Sequence, residues 1–130
     1  MADLECRCGK EVEFKTLAEG VYCKNNPQAE YVIKTAGDYV TFKSKTEIDA
    51  PSSSEIDFSE EMVIALFQGM KNTGGYDIKV TSIKETKDSL DVYVKETCPS
   101  ADSFVTQVFT SPYHLVKTKY SSKKVNFKKE

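Results

Sequence analysis

The sequence has one arginine, Arg7, one histidine, His114, and no long apolar run. A bilayer-spanning helix needs about 20 apolar residues. The longest dense run here, Met62 to Phe67, falls far short, so a transmembrane segment is excluded. With a single guanidinium and a net charge of -2 from 18 basic and 20 acidic residues, recognition of nucleic acid by charge or by arginine forks is not expected. One histidine leaves little for acid–base chemistry. A Cys98–His114 dyad would lack an orienting acid and an oxyanion feature, and no serine sits in a nucleophile-elbow pattern. Catalysis is therefore not expected, and a lone His after Pro112-Tyr113 reads as structural. Thr73-Gly74-Gly75-Tyr76 is not followed by the Gly-Lys-Ser/Thr of a phosphate loop, so no nucleotide cofactor is implied. Cys6-x-Cys8 offers two thiolates, but a second spaced pair for zinc is missing, and no metal site is expected. Cys23 and Cys98 leave free thiols or a disulfide open, with Cys6 and Cys8 too close to bridge each other.

What is present is the composition of a folded domain. The chain has 130 residues, 39% hydrophobic and 29% charged, enough for one core. Residues 1–11 are polar and read as a flexible lead-in, with no basic start or apolar segment of a signal peptide. Residues 12–130 read as a single β-rich domain. Val12 and Phe14 alternate with charges, and Tyr31-Val32-Ile33 is β-rich. Thr35 is placed to cap a helix over 36–45, with Asp38 at its third position. Met62–Phe67, continuous rather than alternating, predicts a strand covered on both faces. Tyr76, Ile78 and Val80 alternate with polar residues, the phase slips before Ile83, and Leu90, Val92 and Val94 restore it. That slip predicts a bulge. Thr86–Ser89 reads as a hairpin turn, Phe104–Thr110 as a strand, and Tyr113, Leu115 and Val116 as another. The fold class is mostly β: an antiparallel sandwich or barrel with one short α-helix.

The string Ile56–Gly69, then Asn72-Thr-Gly-Gly-Tyr76, Lys95-Glu-Thr97, Val105-Thr-Gln107 and Ser111-Pro-Tyr-His114 resembles the C-terminal domain of the PrcB protease-complex subunit family. The resemblance covers residues 14–127 and is firmest over 56–116. It implies a small non-catalytic module associating with a protease, extracytoplasmic in location. The chain departs from the family at Pro99-Ser100-Ala101-Asp102, where members carry a glycine-rich loop. The same three loops are similar, more faintly, to those of chagasin-type inhibitors of cysteine proteases. These loops come in the order Asn72–Tyr76, Pro99–Ser103 and Ser111-Pro112-Tyr113.

The expected partner is thus a protein, a protease, met by Asn72, Thr73, Gly74, Gly75, Tyr76, Pro99, Pro112 and Tyr113. Two glycines permit positive φ and close backbone approach, and Tyr76 adds a rigid amphipathic ring. The same tetrapeptide is also a plausible hairpin turn whose tyrosine joins the core. Gln107 is expected as a buried polar residue bonding the Gly74-Gly75 backbone, and His114 as a second support. If 61–68 and 76–84 are adjacent antiparallel strands, 71–75 joins them. A hairpin partner at 89–97 then returns 98–103 to the same end. An alternative function is a small-molecule or glycan-binding cell-surface domain, for which Tyr76 and Tyr113 would form an exposed aromatic platform.

Overall fold

Side chains on an extended strand alternate between faces, so six consecutive apolar residues demand cover on both sides. In the computed structural model, which describes residues 10–21, 27–100 and 107–129, Met62–Phe67 lies in β4 (Glu61–Phe67) and is wholly buried. Val63, Ala65 and Phe67 face one core, together with Tyr113 and Leu115, under the helix α1 (Ala36–Thr46). Met62, Ile64 and Leu66 face a second core between two four-stranded sheets. The result is a mostly-β sandwich, not a closed barrel, with one helix against an outer face.

One sheet has the order β2-β7-β4-β3, from β2 (Phe14–Gly20), β7 (Tyr113–Lys119), β4 and β3 (Ala29–Ile33). The other has the order β1-β5-β6-β8, from β1 (Lys10–Val12), β5 (Asp77–Glu85), β6 (Ser89–Thr97) and β8 (Lys124–Lys129). All pairings are antiparallel except β6–β8, which is parallel. The mostly antiparallel sandwich is as expected, and the one parallel pair arises because the chain leaves β7 in one sheet and enters the other alongside β6.

The helix forms where its cap signals place it. Thr35 is extended and its hydroxyl accepts from the Asp38 N–H at 3.1 Å. Tyr39, Phe42 and Thr46 form its buried stripe, and Phe42 meets Tyr31 edge-on at 5.0 Å. Glu47 ends it in a left-handed conformation, its N–H returning to Lys43 O at 2.8 Å. The phase slip in β5 is a bulge between Val80 and Ser82, opposite Tyr93.

Other expectations are corrected. β4 and β5 are not neighbours, and residues 68–76 cross between sheets rather than closing a hairpin. β4, buried on both faces, takes β7 and β3 as neighbours. β5, whose alternate residues are buried, forms the outer layer. In the run 104–110, residues 104–106 lie outside the described residues. Gln107, Val108 and Phe109 are exposed and not in a strand, and Thr110 makes a single bridge. Lys10 and Glu11, placed in the lead-in, pair with Glu85 and Lys84, which anchors them to the sheet. Residues 1–9, including Cys6 and Cys8, lie outside the described residues, as does Cys23.

Candidate functional site

The crossover carries the chain from β4 to β5 at one end of the sandwich, and two other segments meet it there. Lys71 and Thr110 exchange both backbone hydrogen bonds, at 2.7 and 2.9 Å. The Thr110 hydroxyl donates to Thr73 O at 2.8 Å. Gln68 donates its backbone N–H to Pro112 O at 3.0 Å and its side-chain amide to Thr97 O at 3.3 Å. Thr97 pairs with Asp77, so residues 98–100 leave from the edge where the crossover arrives. Backbone groups leaving a sheet need partners. Here Gln68, Lys71 and Thr110 provide them and hold the segments 68–76, 97–100 and 107–113 at one end.

Within this end, Gly75 has φ +91°, where a side chain would be strained. Gly69 has φ +97°, and a Cβ there would lie 3.3 Å from the Gln28 backbone nitrogen. Asn72 and Gly75 are exposed; Thr73, Gly74, Tyr76 and Pro99 are half-buried. The Lys71 ammonium lies 5.2 Å from the Tyr76 ring centroid. Cys98 is a free, exposed thiol at the same end.

Three expected site residues lie at this end with a burial other than the expected one. Tyr113 is only 7% exposed and stacks on Phe67 at 6.3 Å in the core beneath the helix. A Cβ on Gly20 would come within 3.1 Å of its hydroxyl, so the absence of a side chain there makes room for the ring. Pro112 is likewise buried, its carbonyl bound by Gln68. Gln107, expected inside, is exposed. The task given to it, holding the glycine loop, falls to Thr110.

His114 supports the sheets rather than the loop. On β7 it faces the inter-sheet core and is 4% exposed. Its Nδ1 accepts from the Val80 N–H at 2.9 Å, beside the β5 bulge. A ring that accepts at Nδ1 carries its proton on Nε2, which then donates to the Thr16 hydroxyl at 3.0 Å. Thr16 borders a second bulge, between Thr16 and Ala18 in β2. Burial, with the nearby Lys79 ammonium as a lesser cause, holds the imidazole pKa down at about 4. Both nitrogens are engaged, so neither is free to activate a thiol or hydroxyl.

Sequence reasoning missed the large exposed hydrophobic side chains of this end. Phe109 is 69% exposed, Met70 51% and Val108 39%. Met70 and Phe109 flank the bridged Lys71–Thr110 pair, one on each segment. The signal was an apolar run next to Pro112, which by pattern alone is indistinguishable from a buried strand. At the opposite end, a cleft of about 920 Å³ is lined by both signs of charge, among them Glu61 and Lys117 in an ion pair at 3.3 Å. Among the described residues no group of His, Cys, Asp and Glu could hold a metal ion.

Residues 62–119, from β4 through β7 and including all three loop segments, match the family model described as PrcB C-terminal. No curated protein and no solved structure matches the chain.

Proposed function

We propose, on the premise that residues 62–119 form a PrcB C-terminal domain, that the chain is a non-catalytic interaction domain. It associates with a protease, as accessory subunit or inhibitor-like module, through the loop end. The observation that supports this is the gathering of 68–76, 97–100 and 107–113 by Gln68, Lys71 and Thr110. Loops held on a rigid scaffold present a preformed surface, and preorganisation lowers the entropic cost of association. The engaged, neutral His114 is in keeping with a role without catalysis. The glycan reading calls for a platform of Tyr76 and Tyr113, and the burial of Tyr113 argues against it.

The test is affinity capture on the tagged full chain from source-cell extract, read by mass spectrometry. A protease or its assembled complex should be recovered, and recovery should fall when Gly74 and Gly75 are both changed to Val in a variant that keeps its fold. Recovery of no protease, together with binding to immobilised glycans, would replace this reading with the alternative.

A further inference from the structure

The β1–β5 ladder ends at Val12 opposite Ile83, so among the described residues the stretch Asp77–Val80 of β5 has no strand on that side. A strand N–H beyond the end of its ladder needs another acceptor. Val80 finds one in His114 Nδ1, 2.9 Å away on a strand of the other sheet. Two segments of the loop end run straight into this contact. The crossover 68–76 enters β5 at Asp77, three residues before Val80, and 107–113 enters β7, where His114 is the second residue. The bond therefore ties β5 to β7 immediately below the loops.

Protonation sets donor against donor here, since Nδ1 then carries a hydrogen facing the Val80 N–H. Nε2 keeps its hydrogen in either state, and with it the bond to the Thr16 hydroxyl at 3.0 Å. The ring is thus retained by the sheet of β2 and β7, and β5 is the side that parts. The surroundings do not compensate a positive ring. The charged side chains beside it are Lys79 of β5 and Glu19 of β2, which stands opposite His114 in the ladder, and these two pair with each other. β4 presents Leu66 opposite His114, and β1, β6 and β8 line this core with Val, Leu and Phe side chains.

We infer that His114 is a proton-operated latch on the loop end: when it takes up a proton, Val80 is released, the start of β5 parts from β7 and the crossover 68–76 loosens, while the sheet β2-β7-β4-β3 stays closed. Resting on the function proposed above, the consequence is release of the docked protein in acid, because the loops lose the preorganisation that favours association. The loosening itself does not depend on that reading. Closed and buried, the ring titrates at about 4; released, it titrates near the ordinary 6.5. The closed form is therefore fully favoured above about 6.5 and loses ground as pH falls toward 4. From pH 7 to pH 5 the ratio of open to closed rises about 20-fold.

The test is amide hydrogen exchange, read by nuclear magnetic resonance on the full chain without a partner. Parent and His114→Gln are compared at pH 7 and pH 5, above the ordinary range of carboxylates, with each rate divided by the intrinsic rate at that pH. A denaturant series below the unfolding transition separates local from global opening, since only global opening responds steeply to denaturant. The reporters are Val80, Gln68 and Lys71, whose N–H groups bond His114, Pro112 and Thr110. We expect them to exchange through an opening with little denaturant dependence and with protection at least about tenfold below that of Ile64 in β4. That opening should rise about 20-fold from pH 7 to pH 5 in the parent and less than about threefold in His114→Gln. If Val80 tracks Ile64 at every pH and denaturant concentration, His114 is released only in global unfolding and the inference falls. This comparison is made within the parent, so it decides even where His114→Gln fails to fold. An equal rise in parent and variant overturns the inference as well. So does a response at Val80 that Gln68 and Lys71 do not share, because the latch then does not reach the loops. Capture of a protease by a chain that shows no such opening leaves the proposed function standing and removes the latch. The opening seen in a chain that captures no protease does the reverse.

Discussion

His114 makes stability depend on pH in a window where few other side chains titrate. In the unfolded chain its pKa is near 6.5; in the fold it is about 4, chiefly through burial and secondarily through Lys79, which is itself paired with Glu19. The unfolded state therefore binds a proton as pH falls below about 6.5, while the folded state resists until about 4. Stability falls across that interval and the loss is complete below it. Those pKa values give a loss of roughly 2 kcal/mol between pH 7 and pH 5, rising to roughly 3 kcal/mol below pH 4. The molecular reason is specific. A protonated ring cannot accept from the Val80 N–H, so the bond joining β7 to the β5 bulge is lost. The assay is chemical denaturation of the parent and His114→Gln at pH 7 and pH 5. Carboxylate contributions are common to both proteins, and Gln does not titrate. The parent should lose roughly 2 kcal/mol more than the variant over that step. Equal losses would refute the reasoning. An independent reading comes from nuclear magnetic resonance: with one histidine in the chain, the ring titration is unambiguous. A midpoint near 6.5 in the folded protein would also refute it.

Other substitutions test the packing and the loop end. Tyr113→Ala should destabilise by about 3–5 kcal/mol in urea titrations, as for a core aromatic, whereas a surface contact residue would cost little. Gly75→Val should cost about 1–2 kcal/mol by imposing a side chain at φ +91°, measured as a shift in the denaturation midpoint. Thr110→Val should cost about 1 kcal/mol and speed hydrogen exchange within 71–75, since the bond to Thr73 O is removed. Thr35→Ala should cost about 1 kcal/mol by uncapping the helix, seen as a lower thermal midpoint.

The fold was legible in sequence where the physics is local. The cap at Thr35, the doubly covered run Met62–Phe67, the hairpin at Thr86–Ser89 and the bulge before Ile83 all follow from spacing along the chain. Assignment of strands to sheets was not legible. Alternation shows which face of β5 is buried, but not whether β4 lies beside it or across the core from it. The glycine loop is thus a crossover and not a hairpin tip. The gathering of three loops was partly legible, because the β5–β6 hairpin returns Thr97 to Asp77. What happens beyond depends on distant partners. Tyr113 is buried by Phe67 and Gly20, and Phe109 is left outside because Thr110 turns to Lys71; neither fact is written in the neighbouring residues.

The position of β7 between β2 and β4 has a consequence for synthesis. Among the described residues β2 has β7 as its sole ladder partner, with Phe14 opposite Thr118, and the most apolar strand, β4, has β7 along one whole edge. At about 5–20 residues per second, β4 is made roughly 3–10 s before β7 is complete. During that time β4 carries an open edge and six apolar side chains without their final cover. An unpaired apolar edge is a template for pairing with other chains. A nascent chain stalled or truncated before Tyr113 would expose an aggregation-prone strand, and chaperone demand should peak in that interval and end when β7 docks.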